Sequence, residues 1–109
     1  MSTIRLRAQL KEGIVEVNAL IKHPMETGAQ KDLETGQLIP AHFIEEVICE
    51  HEGQEVVSAR WGVGISKNPY CSFKFEGGKI GEKVKLSWKD NQGQTDSFEV
   101  EIQPALERE

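Results

Sequence analysis

VEVNALIK, Val15 to Lys22, decides how the chain is read. Val15, Val17, Ala19 and Ile21 fall on one side of a two-residue period, and Glu16, Asn18, Leu20 and Lys22 on the other. Successive side chains of an extended backbone point to opposite faces, so this octet has a dry face and a mostly wet one. The same alternation runs outward from it. Upstream, Ile4, Leu6, Ala8 and Leu10 alternate with Arg5, Arg7 and Gln9, and Gly13 separates the two runs.

Downstream, FIEEVICE (Phe43 to Glu50) and EVVSARW (Glu55 to Trp61) flank a hairpin signal at Gly53. YCSFKFE places Cys71, Phe73 and Phe75 on one face. Val84, Leu86 and Trp88 alternate with lysines, and Phe98, Val100 and Ile102 with glutamates. No window carries a helical period. Seven short strands punctuated by turns predict an all-β fold, a single antiparallel sandwich of immunoglobulin-like type. The sandwich is expected over residues 1–103, with 104–109 a short fraying tail.

Composition narrows the function. The chain has 109 residues, enough for one domain with its own core, and a net charge of −5 from 13 basic and 18 acidic residues. Charges of both signs are interleaved and form no basic stripe, which argues against nucleic acid. No apolar run approaches the roughly 20 residues of a membrane helix. The first residues, MSTIRLRAQL, lack the apolar centre of a secretory signal.

Chemistry-bearing residues are few. Cys71 lies on the apolar face of its strand, where a thiol behaves as a small hydrophobe. Val47 and Cys49 fall opposite Ile44 and Ile48, so that strand is expected to be apolar on both faces, and Cys49 to be a core thiol. The pairs Glu45-Glu46 and Asp90/Asp96 read as solvated carboxylates, and Trp88 as core. GVGIS (Gly62 to Ser66) lacks the helix that a phosphate loop requires. No cofactor and no enzymatic role is expected.

Two loops are unusual for a plain scaffold. HPMETG, His23 to Gly28, concentrates an imidazole, a thioether and a carboxylate in a chain with three His and two Met. His23 and Met25 suit a soft ion such as Cu(I), which makes a copper-binding module the alternative reading. SKNPY (Ser66 to Tyr70) presents Lys67 and Tyr70 beside a proline-fixed turn. Tyrosine at such a junction offers contact area with one polar tip. Loops cluster at the ends of a sandwich, so docking is favoured over chemistry.

KHPMETG (22–28), Lys31-Asp32, LIPAHFI (38–44), ISKNPY (65–70) and W-x-D-N-x-G (88–93), in that order, resemble the SoxZ family over about Ile4 to Ile102. The resemblance implies an immunoglobulin-like, non-catalytic subunit. Its partner is a SoxY-like chain whose C-terminal, glycine-flanked cysteine carries sulfur for other Sox enzymes. The tail here, QPALERE, has neither cysteine nor glycine and is not that arm. The resemblance further implies a periplasmic protein co-exported with its partner, able to self-associate when isolated. His23, Pro24, Met25, Glu26, Lys31 and Asp32 from the first loop region are expected to make protein contacts. Lys67, Asn68, Pro69 and Tyr70 join them from the second. Lys22, Lys31 and Lys67 are expected to favour anionic sulfur groups. The structural alternative for HPMETG is a shaped turn, with Pro24 fixing one φ and Gly28 permitting a positive one.

Overall fold

A computed structural model describes residues 2–105. Each alternating run forms a strand. β1 (Ile4–Lys11) and β2 (Ile14–Ile21) make a hairpin through Glu12-Gly13, both at positive φ, as a tight two-residue turn requires. β3 (Ile44–His51) and β4 (Gln54–Arg60) make a second through Glu52-Gly53 in the same way. β5 (Tyr70–Glu76), β6 (Lys83–Asp90) and β7 (Thr95–Glu101) follow. An eighth strand, not expected from sequence, is the two-residue β8 (Gln103–Pro104), parallel to β1. Two residues are too few to show a period. Ala105 N then donates to Leu10 O, so the sheet holds the chain past the expected boundary at 103. The rest of the expected tail, 106–109, lies outside the described residues.

The strands form two sheets, β5-β2-β1-β8 and β4-β3-β6-β7, packed face to face as an all-β sandwich. Val15, Val17, Ala19 and Ile21 meet Val47, Cys49, Val84 and Leu86 in the core. Ile21, Ile44, Leu86 and Ile102 are fully enclosed. Each such side chain stabilises the fold by about 1.5–3 kcal/mol relative to exposure. Gly78 runs so close to Val15 and Ile102 that a Cβ there would overlap the Val15 side chain.

β3 departs from simple alternation. Ile44 pairs with Asp90 but Glu46 pairs with Lys89, so two steps along β3 match one along β6. This bulge turns Ile44 onto the same face as Val47 and Cys49. The strand is therefore not apolar on both faces, as parity alone had implied. All three are core residues, and only Ile48 faces outward, half-buried.

The long connection between β2 and β3 is a narrow β-finger. Glu26 and His42 exchange backbone bonds, Ile39 N donates to Gln30 O, and Asp32 N donates to Gln37 O. An eight-residue strand spans about 27 Å. The molecule's 53 Å long axis therefore needs the loops and finger as well as the sandwich.

Candidate functional site

The first strand of each hairpin points its opposite end toward the same pole, where β2, β4 and β6 finish and β3, β5 and β7 begin. Inward parity continues past the end of β2: Ile21, His23 and Met25 are all buried. It also reaches the end of β6, where Val84, Leu86, Trp88 and Asp90 face inward. Asp90 is only 1% exposed, which corrects its reading as a solvated carboxylate. A charge so enclosed must be paired.

Its partners come from three segments. His23 Nε2 and His42 Nε2 both donate to Asp90 Oδ2, at 3.0 and 2.7 Å. Gln92 N and Gln94 N donate to Oδ1 at 3.0 and 2.8 Å, closing the β6–β7 turn around the carboxylate. Burial by itself would raise the Asp90 pKa. The bonds from His23, Gln94, His42 and Gln92 outweigh it and hold the carboxyl below its usual range. The His23 ring also stands edge-on to Trp88, with centroids 5.2 Å apart. Asn91 continues the seam: its Oδ1 accepts from Phe43 N and its Nδ2 donates to Ala41 O.

The two singled-out loops are clasped to one another. His23 N donates to Asn68 Oδ1 at 3.0 Å, and Asn68 N donates to His23 O at 2.9 Å. Met25 and Asn68 both sit at positive φ, 48° and 52°. Such backbone is costly for Met and persists only where its surroundings hold it. Met25 is held at both ends: its N–H donates to His23 Nδ1 at 3.1 Å, and its sulfur accepts from Ile44 N at 3.3 Å.

The ten expected contact residues therefore separate. His23, Met25 and Pro69 are buried and shape the loops from inside. Pro24, Lys67, Asn68 and Tyr70 are exposed, and Glu26 is half-buried on the finger's first rung. Lys31 and Asp32 lie farther along the finger, where Asp32 Oδ1 accepts from Glu34 N and Thr35 N. A groove of about 440 Å³ separates the two loops, lined by Pro24, Thr27, Gln30, Val63, Ile65 and Lys67 among others. His42 and Asp90 had no expected role. Asp90 carried a legible signal in its parity with Trp88, whereas His42 stands before a bulge that erases any.

His23, His42 and Asp90 bring three ligand-type atoms within 4.8 Å of one another. The copper alternative paired His23 with Met25 instead, and the sulfur of Met25 is engaged with Ile44 N. Without an ion, the hydrogen bonds set where the protons of this cluster lie. His23 Nδ1 accepts the Met25 N–H and so carries no proton, which places the proton of the neutral ring on Nε2. That N–H points to Asp90. His42 Nε2 faces two acceptors, Asp90 Oδ2 and Gln94 Oε1 at 3.0 Å, and is likewise a donor. The cluster is a hydrogen-bonded seam.

Neither thiol is poised as a nucleophile. Burial, then the neighbouring Cys71 and Glu50, push the Cys49 pKa up to about 12. Burial also raises that of Cys71. At neutral pH Cys49 then holds roughly three orders of magnitude less thiolate than an ordinary cysteine. We expect thiol reagents to leave Cys49 unmodified in the native protein and to label both cysteines in urea. Rapid stoichiometric labelling of native Cys49 would show an accessible thiolate and reopen nucleophilic chemistry.

Fold and site together define a small β-sandwich protein organised around a buried His–Asp–His seam. Residues 4–101 match the family model described as sulphur oxidation protein SoxZ, and the chain belongs to the SoxZ family. No curated protein matches it in sequence. Among solved structures it is similar to superoxide reductase (neelaredoxin) from Archaeoglobus fulgidus in the reduced form. The identity is 20% and the TM-score 0.57, over 92% of this chain and 86% of that one. A point mutant of that protein aligns at 18% identity and TM-score 0.61, over 94% and 89%. At these identities the likeness is one of fold.

Proposed function

We propose that this protein is the non-catalytic subunit of a sulfur-carrier complex. It pairs with a SoxY-like chain whose C-terminal cysteine carries the sulfur intermediates, and its loop pole receives the other Sox enzymes in the periplasm, where the two subunits arrive together. The observation that carries the reading is the family match over residues 4–101, nearly the whole chain. Two features support it. Cys49 is buried and Cys71 half-buried against the core, both with raised pKa values, as suits a subunit that leaves the sulfur chemistry to a partner. The clasped loops also border a groove with an exposed apolar rim at Val63, and Tyr70 stands exposed at the start of β5, 47% and 64% exposed respectively. Such side chains on a rigid pole suit protein contacts.

Tagged protein recovered from its native cells grown on a reduced sulfur compound should bring down a stoichiometric partner ending in a glycine-flanked cysteine. Val63→Asp and Tyr70→Ala should each weaken capture of that partner or of a visiting Sox enzyme by about tenfold, the scale of an interface hot spot. Recovery of the chain without any such partner would overturn the subunit assignment. Undiminished capture of every component by both variants would remove the loop pole from the docking surface.

A further inference from the structure

The hydrogen-bonded ladder of the first sheet extends beyond the ends of its strands. Lys22 N donates to Thr3 O at 2.8 Å, Ile21 N to Pro69 O at 3.0 Å, and Asn68 N to His23 O. Arg5 is paired with Leu20, and Leu20 with Tyr70. Lys22 and Asn68, and in the adjoining row Arg5, Leu20 and Tyr70, therefore lie exposed on the outer face at the loop pole, while the Thr3 side chain turns inward to Trp88 and Asp96. In this register Arg5 and Lys22 are diagonal neighbours on one face, a separation of about 7–8 Å. Lys67 stands beside them.

Arg5 and Leu20 line one, and Lys67 the other, of two adjoining hollows of about 310 and 490 Å³ that share Thr3, Lys22 and Asn68. No Asp or Glu lines either hollow. None of the four ion pairs among the described residues involves Arg5, Lys22 or Lys67. In a chain of net charge −5, three cations stand together without a carboxylate partner. The adjacent acid, Asp96, is turned to the other side of Thr3. Its Oδ2 accepts from Thr3 N and Oγ1 and from Ser2 Oγ, and its Oδ1 accepts from Ser97 N.

Asn68 supplies an oriented neutral donor. Its Oδ1 is fixed by the backbone N–H of His23, which turns its amide nitrogen away from the clasp. That nitrogen has no hydrogen-bond partner among the described residues. Three cations and an unpaired N–H₂ group, with no carboxylate in the lining, favour an anion. The hollows are larger than a monatomic ion needs, and a guanidinium favours the paired oxygens of an oxyanion.

We propose that Arg5, Lys22, Lys67 and Asn68 form a binding site for a small sulfur oxyanion group, –SO₃⁻ or its free equivalents. The sulfur part rests on the carrier-subunit reading above; the oxyanion part rests on the donors alone. The group arrives free, as thiosulfate or sulfite, or attached to a cysteine as an S-sulfonate.

Amide NMR of the full chain at fixed ionic strength tests this. Thiosulfate should give saturable shifts confined to the residues around Arg5, Lys22 and Asn68, and chloride should not. Lys22→Gln and Arg5→Gln should each weaken binding by about fivefold, the scale of one partly exposed charge. Asn68→Asp keeps an acceptor for His23 N while adding a negative charge, and should abolish binding with the fold intact. Lys74→Gln, farther along the same face, should change nothing. A glycine-flanked cysteine peptide, S-sulfonated or unmodified, separates the sources. Binding of the sulfonated peptide but not of free thiosulfate assigns a carried group, and equal binding assigns a free ion. Shifts matched by chloride, or unaltered by Asn68→Asp, overturn the site. The isolated chain is used throughout, so failure to capture a partner and failure to bind the anion are separate results.

Discussion

Replacing Asp90 by alanine is expected to cost about 3–5 kcal/mol of folding stability, because it removes one member of a buried charged network and leaves the others unsatisfied. The carboxylate accepts from His23, His42, Gln92 N and Gln94 N. Without it two imidazole N–H groups and two turn amides lose their acceptor together. Asp90→Asn is the more informative variant. Its carbonyl can keep the turn amides, which turns its N–H₂ toward the histidines. His42 can move its proton to the other nitrogen and accept. His23 cannot, because its Nδ1 receives the Met25 N–H. One donor–donor conflict should then remain, costing about 1–3 kcal/mol. Urea unfolding followed by far-ultraviolet circular dichroism measures both, and ring ¹⁵N shifts report the His23 tautomer directly. An Asp90→Asn protein as stable as the parent, or His23 with its proton on Nδ1, would contradict the assigned hydrogen bonds and return the cluster to candidacy as a metal site.

The same carboxylate sets a pH dependence. Asp90 is held below its unfolded value, so its stabilisation is complete above the ordinary carboxylate pKa, about 4, and is lost as pH falls through the lower folded value. Asp96 acts in the same direction. Burial would raise its pKa, and the bonds from Thr3, Ser97 and Ser2 lower it. Both losses fall on the acid side.

Strand positions were legible because a period of two is a local property. Val15 to Ile21 reports its own inward face without reference to any other strand. The seam was less legible because residues 23, 42 and 90 meet only through topology. Parity did carry part of it: Ile21, His23 and Met25 share one face, as do Leu86, Trp88 and Asp90. Following those faces past the last apolar residue would have placed the histidine and the aspartate inside. The bulge at Glu45 is different, since a single inserted residue inverts the faces of everything before it. This is why Ile44 was placed on the face opposite Val47 and Cys49, and why His42 went unassigned. The clasp between His23 and Asn68 is made largely by backbone atoms, which residue type barely encodes. Asparagine's tolerance of positive φ was its one visible trace.

Trp88 tests the other half of the pole. The ring is 6% exposed, stands edge-on to His23, and donates from Nε1 to Thr3 Oγ1 at 3.1 Å. It thereby joins three otherwise separate features: the apolar core, the His–Asp–His seam and the segment leading into β1. Trp88→Ala should cost about 3–5 kcal/mol, the range for deleting a buried aromatic where the surroundings cannot collapse. Trp88→Phe keeps the apolar body and the edge contact but loses the donor, and should cost less, about 1–2 kcal/mol. Thr3→Val removes the same bond from the other side. If the Nε1–Oγ1 bond matters as drawn, Trp88→Phe and Thr3→Val should be less than additive when combined. Circular dichroism under urea gives the free energies, and the remaining Trp61 keeps fluorescence available as a second probe. Full additivity would show that Trp88 acts through volume alone. The seam and the N-terminal strand would then be coupled only by packing, and the loop pole would tolerate changes at Thr3 that the hydrogen bond forbids.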